Sequence, residues 1–341
     1  MVSVVALVFL GTMFALVAAT NGGQYPALFA FGDSILDTGN NNNLATLTKS
    51  NFPPYGRDFI GGKPTGRFCD GKVPSDLIAG DLGIKGTLPA YLDPNLRNED
   101  LSTGVSFASG GTGNDDLTAQ TQQGALSLST QMKNFQECIG RLKAFMGEER
   151  ANYIISNSLY LLSSGNNDIA LTYSSPLRSS IPFPLYASQL VGWTSDFLKQ
   201  LYDAGARKVW VLSTLPLGCL PGGRTVAGGP LRLCSDTVNR KAQLFNDQLA
   251  SAVSSLQGTL SGSAFQFIDI YATLLNIIQN PFSSGFLNVA NGCCGTGLVE
   301  IGETCKLALG SCPNPAAYVF WDAGHPTQRA YELIVSSILP K

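Results

Sequence analysis

The single histidine of the chain is the residue whose chemistry is easiest to assign. His325 is the only histidine among 341 residues, and Asp322 precedes it by three positions in the segment YVFWDAGHPT. An imidazole can take up a proton at neutral pH, and a neighbouring carboxylate can hold the ring in one tautomer. A tight turn would bring these two side chains together. The spacing predicts a general base near the carboxyl terminus, although a lone histidine on a loop is also compatible with an ordinary surface role.

A serine near the amino terminus is the matching candidate nucleophile. Ser34 lies in FGDSILDTGNNN, directly after the apolar run Ala27–Phe31. A serine hydroxyl is a poor nucleophile until a base removes its proton, and His325 is the only histidine that could do so. The asparagines at 40–43 are predicted to turn and cap the loop through side-chain hydrogen bonds rather than to react.

Two further segments could stabilise the negative charge that develops on a carbonyl oxygen during acyl transfer. GVSFASGGTGN ends in Gly110 and Gly111, whose backbone N–H groups can approach a substrate closely, and LYLLSSGNNDIA carries the amide of Asn167. Each segment alone is equally typical of a glycine-rich turn or an asparagine-rich loop. Their position after apolar runs favours an oxyanion hole.

The predicted nucleophile, base and oxyanion donors can meet only if the fold brings them to one edge of a sheet. Short apolar runs alternate with helical periodicity, which predicts a doubly wound, mostly parallel α/β sheet flanked by helices, whose ligands bind beyond the carboxyl ends of the strands. The predicted strands are Ala27–Phe31, Val105–Ala108, Leu159–Leu162, Val209–Leu212 and Phe265–Ile268. Helices are predicted near 74–82, over 132–146 and 190–201, from an N-cap at Ser235 to Leu256, and after Pro326.

Composition limits the partners of the protein. Lys and Arg total 22 against 24 Asp and Glu, without blocks of like charge, so neither nucleic acid nor an anionic membrane surface is an expected partner. Residues 1–19 resemble a secretory signal peptide, although an uncleaved membrane anchor is the alternative because no basic residue precedes the apolar run. Residues 20–341 are predicted to form one domain, and we expect a monomer without integral membrane association after cleavage.

Eight cysteines form an even set, which in a secreted chain predicts disulfides. Four of them fall between 293 and 312, where the adjacent Cys293 and Cys294 are expected to pair outward rather than with each other. Zinc is the competing interpretation for this group, but neither a nearby histidine nor a Cys-x-x-Cys spacing supports it.

The motifs as a set resemble a known family. FGDSILDTGNNN, GVSFASGGTG, GNND and DAGHPT occur in this order, accompanied by GRFCDGKVPSDLIA, TLPLGC and GCCGTG. They are similar to those of the GDSL lipases and esterases in the SGNH hydrolase superfamily, particularly the secreted plant branch, from about residue 26 to the C-terminus. The resemblance implies a three-layer α/β/α, flavodoxin-like fold and an extracellular esterase or lipase of the apoplast or cell wall that requires no metal or cofactor.

Carried over by position, the resemblance assigns roles to individual residues. It implies Ser34 as nucleophile and Asp322 and His325 as the other members of a catalytic triad. It implies that the backbone N–H groups of Ser34 and Gly111, with the side chain of Asn167, form the oxyanion hole.

One position of the family pattern has an alternative, and one departs from it. Gly110 remains the alternative to Gly111 as an oxyanion donor. Ser106 departs from the asparagine that many members of this branch carry, a change that could loosen the local loop but removes no catalytic group.

Two other functions remain open. An acyltransferase would use the same site with a hydroxyl acceptor in place of water, and a secreted carbohydrate- or wall-binding protein would have lost catalysis. The ester substrate, whether a small molecule, a lipid or a polysaccharide, does not follow from the fold. Aromatic residues in the proline-rich loops could line an acyl site or simply pack those loops, namely Phe52, Tyr55, Phe59, Phe68 and Phe183.

Overall fold

The computed structural model describes residues 24–122, 124–307 and 310–339. The strands are β1 (Leu28–Gly32), β2 (Leu159–Ser163), β3 (Lys208–Leu212), β4 (Ala264–Ile268), β5 (Asn288–Gly292) and β6 (Tyr318–Phe320). The α-helices are α1 (Pro74–Asp81), α2 (Asn98–Leu101), α3 (Asp116–Thr121), α4 (Leu128–Met146), α5 (Glu148–Asn157), α6 (Phe183–Asp203), α7 (Pro221–Ala227), α8 (Asp236–Thr259), α9 (Ile270–Gln279), α10 (Glu303–Leu307) and α11 (Gln328–Ile338). The predicted signal peptide lies outside the described residues.

The central sheet is parallel, as predicted. Strands β1 to β4 follow one another in the order β1-β2-β3-β4, and helices connect them. On the side of β1 opposite β2, the N–H of Ala30 donates to the carbonyl of Val105 at 3.2 Å, and the carbonyl of Ala30 accepts from the N–H of Phe107 at 2.7 Å. The chain therefore extends the sheet to both sides of β1, which is the doubly wound arrangement.

The predicted strand Val105–Ala108 does not form a regular strand. Ser106 makes isolated β-bridges to Ala30 on one side and to Ala90 on the other. The N–H of Ala108 turns instead to the Ser106 hydroxyl at 3.2 Å. The segment runs parallel to β1 without an uninterrupted ladder.

Burial explains why these runs become strands and helices. Every residue of β1 and β2 is buried, as continuous apolar runs between two helical layers require. Helices α4, α6 and α8 bury one apolar face each against the sheet. Ser235 is the N-cap of α8, as predicted, and accepts a hydrogen bond from the N–H of Val238; α6 begins at Phe183, earlier than its periodicity indicated.

Disulfides hold the loops on the carboxyl-end side of the molecule. Cysteines pair as Cys219–Cys234, Cys293–Cys312 and Cys294–Cys305, which confirms that the two adjacent cysteines pair outward. Two of these bridges join the buried rings of Tyr55, Phe68 and Trp321 in a small cluster separate from the main core. We call it the aromatic–disulfide cluster, with Cys293, Cys294 and Cys305 as its sulfur members. Within the described ranges no helix has the length and apolar character needed to cross a membrane.

Candidate active site

The turn after β1 fixes the position of Ser34. Gly32 has φ +113°, and a Cβ there would lie 1.8 Å from the carbonyl oxygen of Ser163, so only glycine fits. The buried Asp33 carboxylate then accepts hydrogen bonds from Ser163 Oγ at 3.1 Å and Asn166 Nδ2 at 2.9 Å. Burial raises the pKa of Asp33 above its ordinary value, and these hydrogen bonds and the charge of His325 offset only part of that rise. The strand therefore ends in a rigid corner that presents the Ser34 hydroxyl.

The segment 322–325 forms the tight turn that the spacing predicts. Asp322 Oδ1 accepts hydrogen bonds from the backbone N–H groups of Gly324 and His325, both at 2.8 Å. The carbonyl of His325 accepts from the N–H of Trp321 at 2.8 Å and closes the turn. The carboxylate is thus held beside the imidazole of its own loop.

Three predicted site residues form one hydrogen-bonded chain. Nδ1 of His325 lies 2.8 and 2.9 Å from the two carboxylate oxygens of Asp322, and Nε2 lies 2.7 Å from Ser34 Oγ. All three residues are at most 8% exposed. With the Nδ1 proton donated to the carboxylate, Nε2 is free to accept the serine proton.

Hydrogen bonding distinguishes the two candidate glycines. The N–H of Gly110 donates to Asp37 Oδ2 at 2.8 Å and is therefore occupied. Within the described part of the chain, the N–H groups of Ser34 and Gly111 have no acceptor. Gly111 also has φ +91°, and a Cβ there would lie 2.8 Å from the Cβ of Gln122. These observations favour Gly111 over Gly110 as a donor to substrate.

Asn167 belongs to the same group of loops. Its Nδ2 donates one hydrogen bond, to the carbonyl of Thr112 at 2.8 Å, which leaves the second amide hydrogen for another acceptor. The neighbouring Asn166 donates to the Asp33 carboxylate and accepts from the N–H of Leu215. Asn166 therefore connects the corner at Asp33 to the loop after β3, whereas Asn167 is bonded to the loop that contains Thr112.

Comparison with known proteins identifies the family. Residues 28–338 match the family model of the GDSL-like lipase/acylhydrolases. The chain belongs to this family. Two GDSL esterase/lipases of Arabidopsis thaliana are 51% and 49% identical over 316 and 314 residues, each alignment covering 92% of this chain and 88% of the relative. A third, named EXL3, is 47% identical over 319 residues, covering 93% of this chain and 87% of its own.

Among solved structures, a phospholipase A1 from Streptomyces albidoflavus aligns at TM-score 0.44 and 16% identity, covering 92% of this chain and all of that one. Membership in the GDSL family makes this protein a carboxylic ester hydrolase of the plant type, with the parallel α/β sheet described above.

A buried glutamine of this GDSL hydrolase was not predicted from its sequence. Gln131 of α4 accepts from the N–H of Gly32 at 2.8 Å and donates to its carbonyl at 2.9 Å. The same amide nitrogen donates to Thr112 Oγ1 at 3.1 Å. Gln131 thus connects the corner before Ser34 to the loop that carries Gly111. Its only signal in the sequence is a polar residue on the apolar face of α4.

Two of the aromatic residues in the proline-rich loops, Tyr55 and Phe68, pack inside the protein rather than line a channel. Tyr55 and Phe68 are 1% exposed, and the Phe68 ring lies 5.1 Å from the imidazole of His325. Tyr55 donates a hydrogen bond from its hydroxyl to Asp322 Oδ2 at 2.7 Å. The interpretation as loop packing is confirmed for these two rings.

The asparagine-rich segment is structural, as predicted. Asn40 Nδ2 donates to the carbonyls of Ser106 and Ala108, and Asn41 Nδ2 donates to those of Thr48 and Gly110.

Ser106 takes part in the hydrogen bonding of its loop. The Ser106 side chain is fully buried and its hydroxyl donates to the carbonyl of Leu36 at 2.8 Å.

The zinc interpretation of the cysteine group is excluded by the disulfides. Cys293, Cys294, Cys305 and Cys312 are all oxidised, so none offers a thiolate to a metal. Over the described ranges, His, Cys, Asp and Glu side chains form no group of three suited to hold a metal ion.

Proposed function

We propose that this protein is a secreted serine esterase or lipase, with Ser34 as nucleophile, His325 as general base and acid, and Asp322 as the group that orients the imidazole. The observation that carries the proposal is the unbroken Asp322–His325–Ser34 chain, with heavy-atom separations of 2.8 and 2.7 Å. Such distances allow direct proton transfer without an intervening water.

The first half of the reaction is acylation. His325 Nε2 takes the Ser34 proton as Oγ attacks the ester carbonyl, and the developing oxyanion accepts from the N–H groups of Ser34 and Gly111 and the Asn167 amide. His325 then returns the proton to the leaving alcohol, which leaves an acyl-enzyme on Ser34. The donor assignment is supported by the unoccupied N–H of Gly111 within the described ranges and by the spare hydrogen of Asn167.

The second half repeats these steps with water. His325 activates a water molecule, which attacks the acyl-Ser34 carbonyl, and the proton returns to Ser34 as the acid leaves. If an alcohol or sugar hydroxyl took the place of this water, the same site would be an acyltransferase. Product analysis with a candidate acceptor separates the two reactions.

Secretion is proposed from the disulfides and from the amino-terminal sequence. Three disulfides in loops are typical of proteins that fold in an oxidising compartment. The substrates we propose are carboxylic esters, whether of small molecules, lipids or polysaccharides.

Mutation of the proposed nucleophile tests the function. We expect Ser34→Ala to lower kcat on a short p-nitrophenyl ester by about 10⁴-fold or more, since the covalent route is lost. Ser164→Ala, at a buried serine without a hydrogen-bond partner in the described structure, is the matched control and should keep wild-type turnover. Wild-type turnover by Ser34→Ala would reject the assignment.

A further inference from the structure

The carboxylate of Asp322 has a partner that the serine hydrolase reaction does not require. The Tyr55 hydroxyl lies 2.7 Å from Asp322 Oδ2, although 267 positions separate the two residues. Burial first, and then the charge of Asp322, raise the pKa of Tyr55 well above its ordinary value. The phenol therefore keeps its proton and donates it in this hydrogen bond.

The position of that hydroxyl is fixed from its other side. The N–H of Gly302 donates to Tyr55 Oη at 2.7 Å. Gly302 lies inside the loop closed by the Cys294–Cys305 disulfide, and its carbonyl accepts from the N–H of Cys305 at 2.9 Å. The Tyr55 hydroxyl thus accepts from one group and donates to another. The donor lies in the disulfide-closed loop, and the acceptor belongs to the Asp322–His325 turn.

Aromatic packing fixes the ring that carries the hydroxyl. The Tyr55 ring makes edge-on contacts with Phe68 and Trp321, each with centroids 6.0 Å apart. Trp321 directly precedes Asp322, and Phe68 packs against the imidazole of His325. Because Tyr55 is only 1% exposed, it is too deeply buried to contact a substrate in the site.

We propose that Tyr55 is a positioning residue of this site. It acts through Asp322, whose carboxylate it holds in place and whose negative charge it stabilises by a hydrogen bond. The inference rests on the proposed function, because it assumes that Asp322 orients His325. The aromatic–disulfide cluster is then the support of the Asp322–His325 turn as well as a small core.

The charge effect has a definite sign. The Tyr55 hydrogen bond stabilises the ionised Asp322 carboxylate most when His325 is neutral. This stabilisation is smaller when the imidazole is also protonated, because the positive ring already compensates part of the carboxylate charge. Removal of the hydroxyl therefore favours protonation of the imidazole at higher pH. The acidic limb of the kcat/KM profile should move to higher pH, by about 0.5 pH unit.

Other ionisable groups around the pair are left unchanged by this substitution. Asp33, after β1, interacts through charge with His325. Cys69, in the loop before α1, and Tyr331 of α11 interact in the same way with Asp322. Their contribution is common to the wild type and the variant.

The test compares two isosteric substitutions. Tyr55→Phe removes the hydroxyl from Asp322, and Tyr160→Phe removes an equally buried hydroxyl that donates to the Ile155 carbonyl at 2.8 Å. Tyr160 lies in β2, near the amino end of the strand and thus away from the edge that carries Ser34.

We expect Tyr55→Phe to lower kcat on a p-nitrophenyl ester about tenfold, as the loss of a hydrogen bond to a charged group implies, with KM unchanged. Tyr160→Phe should change the thermal unfolding midpoint but neither kcat nor the pH profile.

A second readout follows from the single histidine. In protein labelled with ¹⁵N-histidine, the imidazole signals come from His325 alone, so its titration is observed directly and without turnover. The midpoint should move to higher pH in Tyr55→Phe and stay in place in Tyr160→Phe.

Each outcome decides the inference separately from the proposed function. An unshifted histidine midpoint and unchanged kcat in Tyr55→Phe, with Ser34→Ala inactive, would overturn the positioning role and leave the serine mechanism intact. A Tyr55→Phe protein that does not fold, or that loses rate equally at every pH, would assign the hydroxyl to stability and also overturn it. Full turnover by Ser34→Ala would instead reject the mechanism itself.

Discussion

The reactivity proposed for Ser34 depends on groups that other residues hold in place. The Asp322 carboxylate accepts from two backbone N–H groups of its own turn and from the His325 ring, so the imidazole has little freedom to rotate. At 2.7 Å, Nε2 of His325 is already at proton-transfer distance from Ser34 Oγ. Little rearrangement is needed before the attack.

Gln131 is the residue whose loss should affect the site without removing a reacting group. Gln131→Met keeps the side-chain length but leaves the buried N–H of Gly32 without its acceptor, whereas the Gly32 carbonyl still accepts from the N–H of Ser109 at 2.9 Å. We expect the free energy of unfolding to fall by about 1–3 kcal/mol, the cost of one unsatisfied buried group. Urea denaturation followed by intrinsic fluorescence measures this change.

The matched control uses a glutamine of another helix. Gln200 is exposed on α6, and Gln200→Met should change the stability by less than about 0.5 kcal/mol. Equal stabilities of the Gln131 and Gln200 variants would show that the hydrogen bonds to Gly32 do not hold the corner.

Residue types and spacing are sufficient to predict the Asp322–His325 turn and its pairing with Ser34. The hydrogen bonds of Tyr55 and Gln131 could not be predicted, because they join positions 267 and 99 apart and have no local motif. A buried tyrosine or glutamine in a sequence indicates a polar contact but does not identify its partner. Gly110 and Gly111 are likewise equivalent in the sequence and differ only in the acceptor near each N–H.

At the scale of elements, the corner between β1 and Ser34 is the most constrained point of the fold. Gly32→Ala would place a methyl group within bonding distance of the Ser163 carbonyl at a positive φ. We expect a loss of more than about 4 kcal/mol in the free energy of unfolding, measured by chemical denaturation, or no soluble protein.

Gly140→Ala is the control for the glycine corner. Gly140 lies exposed inside α4, where an added Cβ meets no atom within 4 Å. This variant should gain about 0.5–1 kcal/mol in stability, because alanine has the higher helix propensity. A Gly32→Ala protein as stable as Gly140→Ala would contradict the geometry of the corner.

Strands with a clear apolar pattern could be predicted from the sequence, and strands without one could not. The strands β1 to β3 contain continuous apolar runs, β4 is apolar except for Gln266, and the bounds of all four were predicted within one residue. The short pair β5 and β6 was not predicted, since Asn288–Gly292 reads NVANG and Tyr318–Phe320 has only three residues. Their pairing depends on the disulfide-linked loops, whose connectivity the sequence leaves open.

For the whole molecule, the cysteines fall into two chemical classes. All eight lie within the described residues; six form disulfides, and Cys69 and Cys138 are buried free thiols. Burial raises the pKa of Cys138 to about 12 and that of Cys69 well above its ordinary value. Both thiols should therefore stay protonated and unreactive at pH 8.

Alkylation with iodoacetamide checks this division. Without reductant, mass spectrometry should find no label on the native protein and two labels in denaturant. Reductant and denaturant together should give eight. Labelling of Cys69 in the native protein would show that the loop before α1 opens in solution.

The most direct test of the account is to map the adduct of a fluorophosphonate, which reacts with a serine only when a base activates its hydroxyl. We predict one adduct per chain on the peptide that contains Ser34, and a reaction at least about 10³-fold slower in His325→Ala, where no base remains. An adduct on a different serine, or equally fast labelling of the two proteins, would contradict the proposal that His325 activates Ser34.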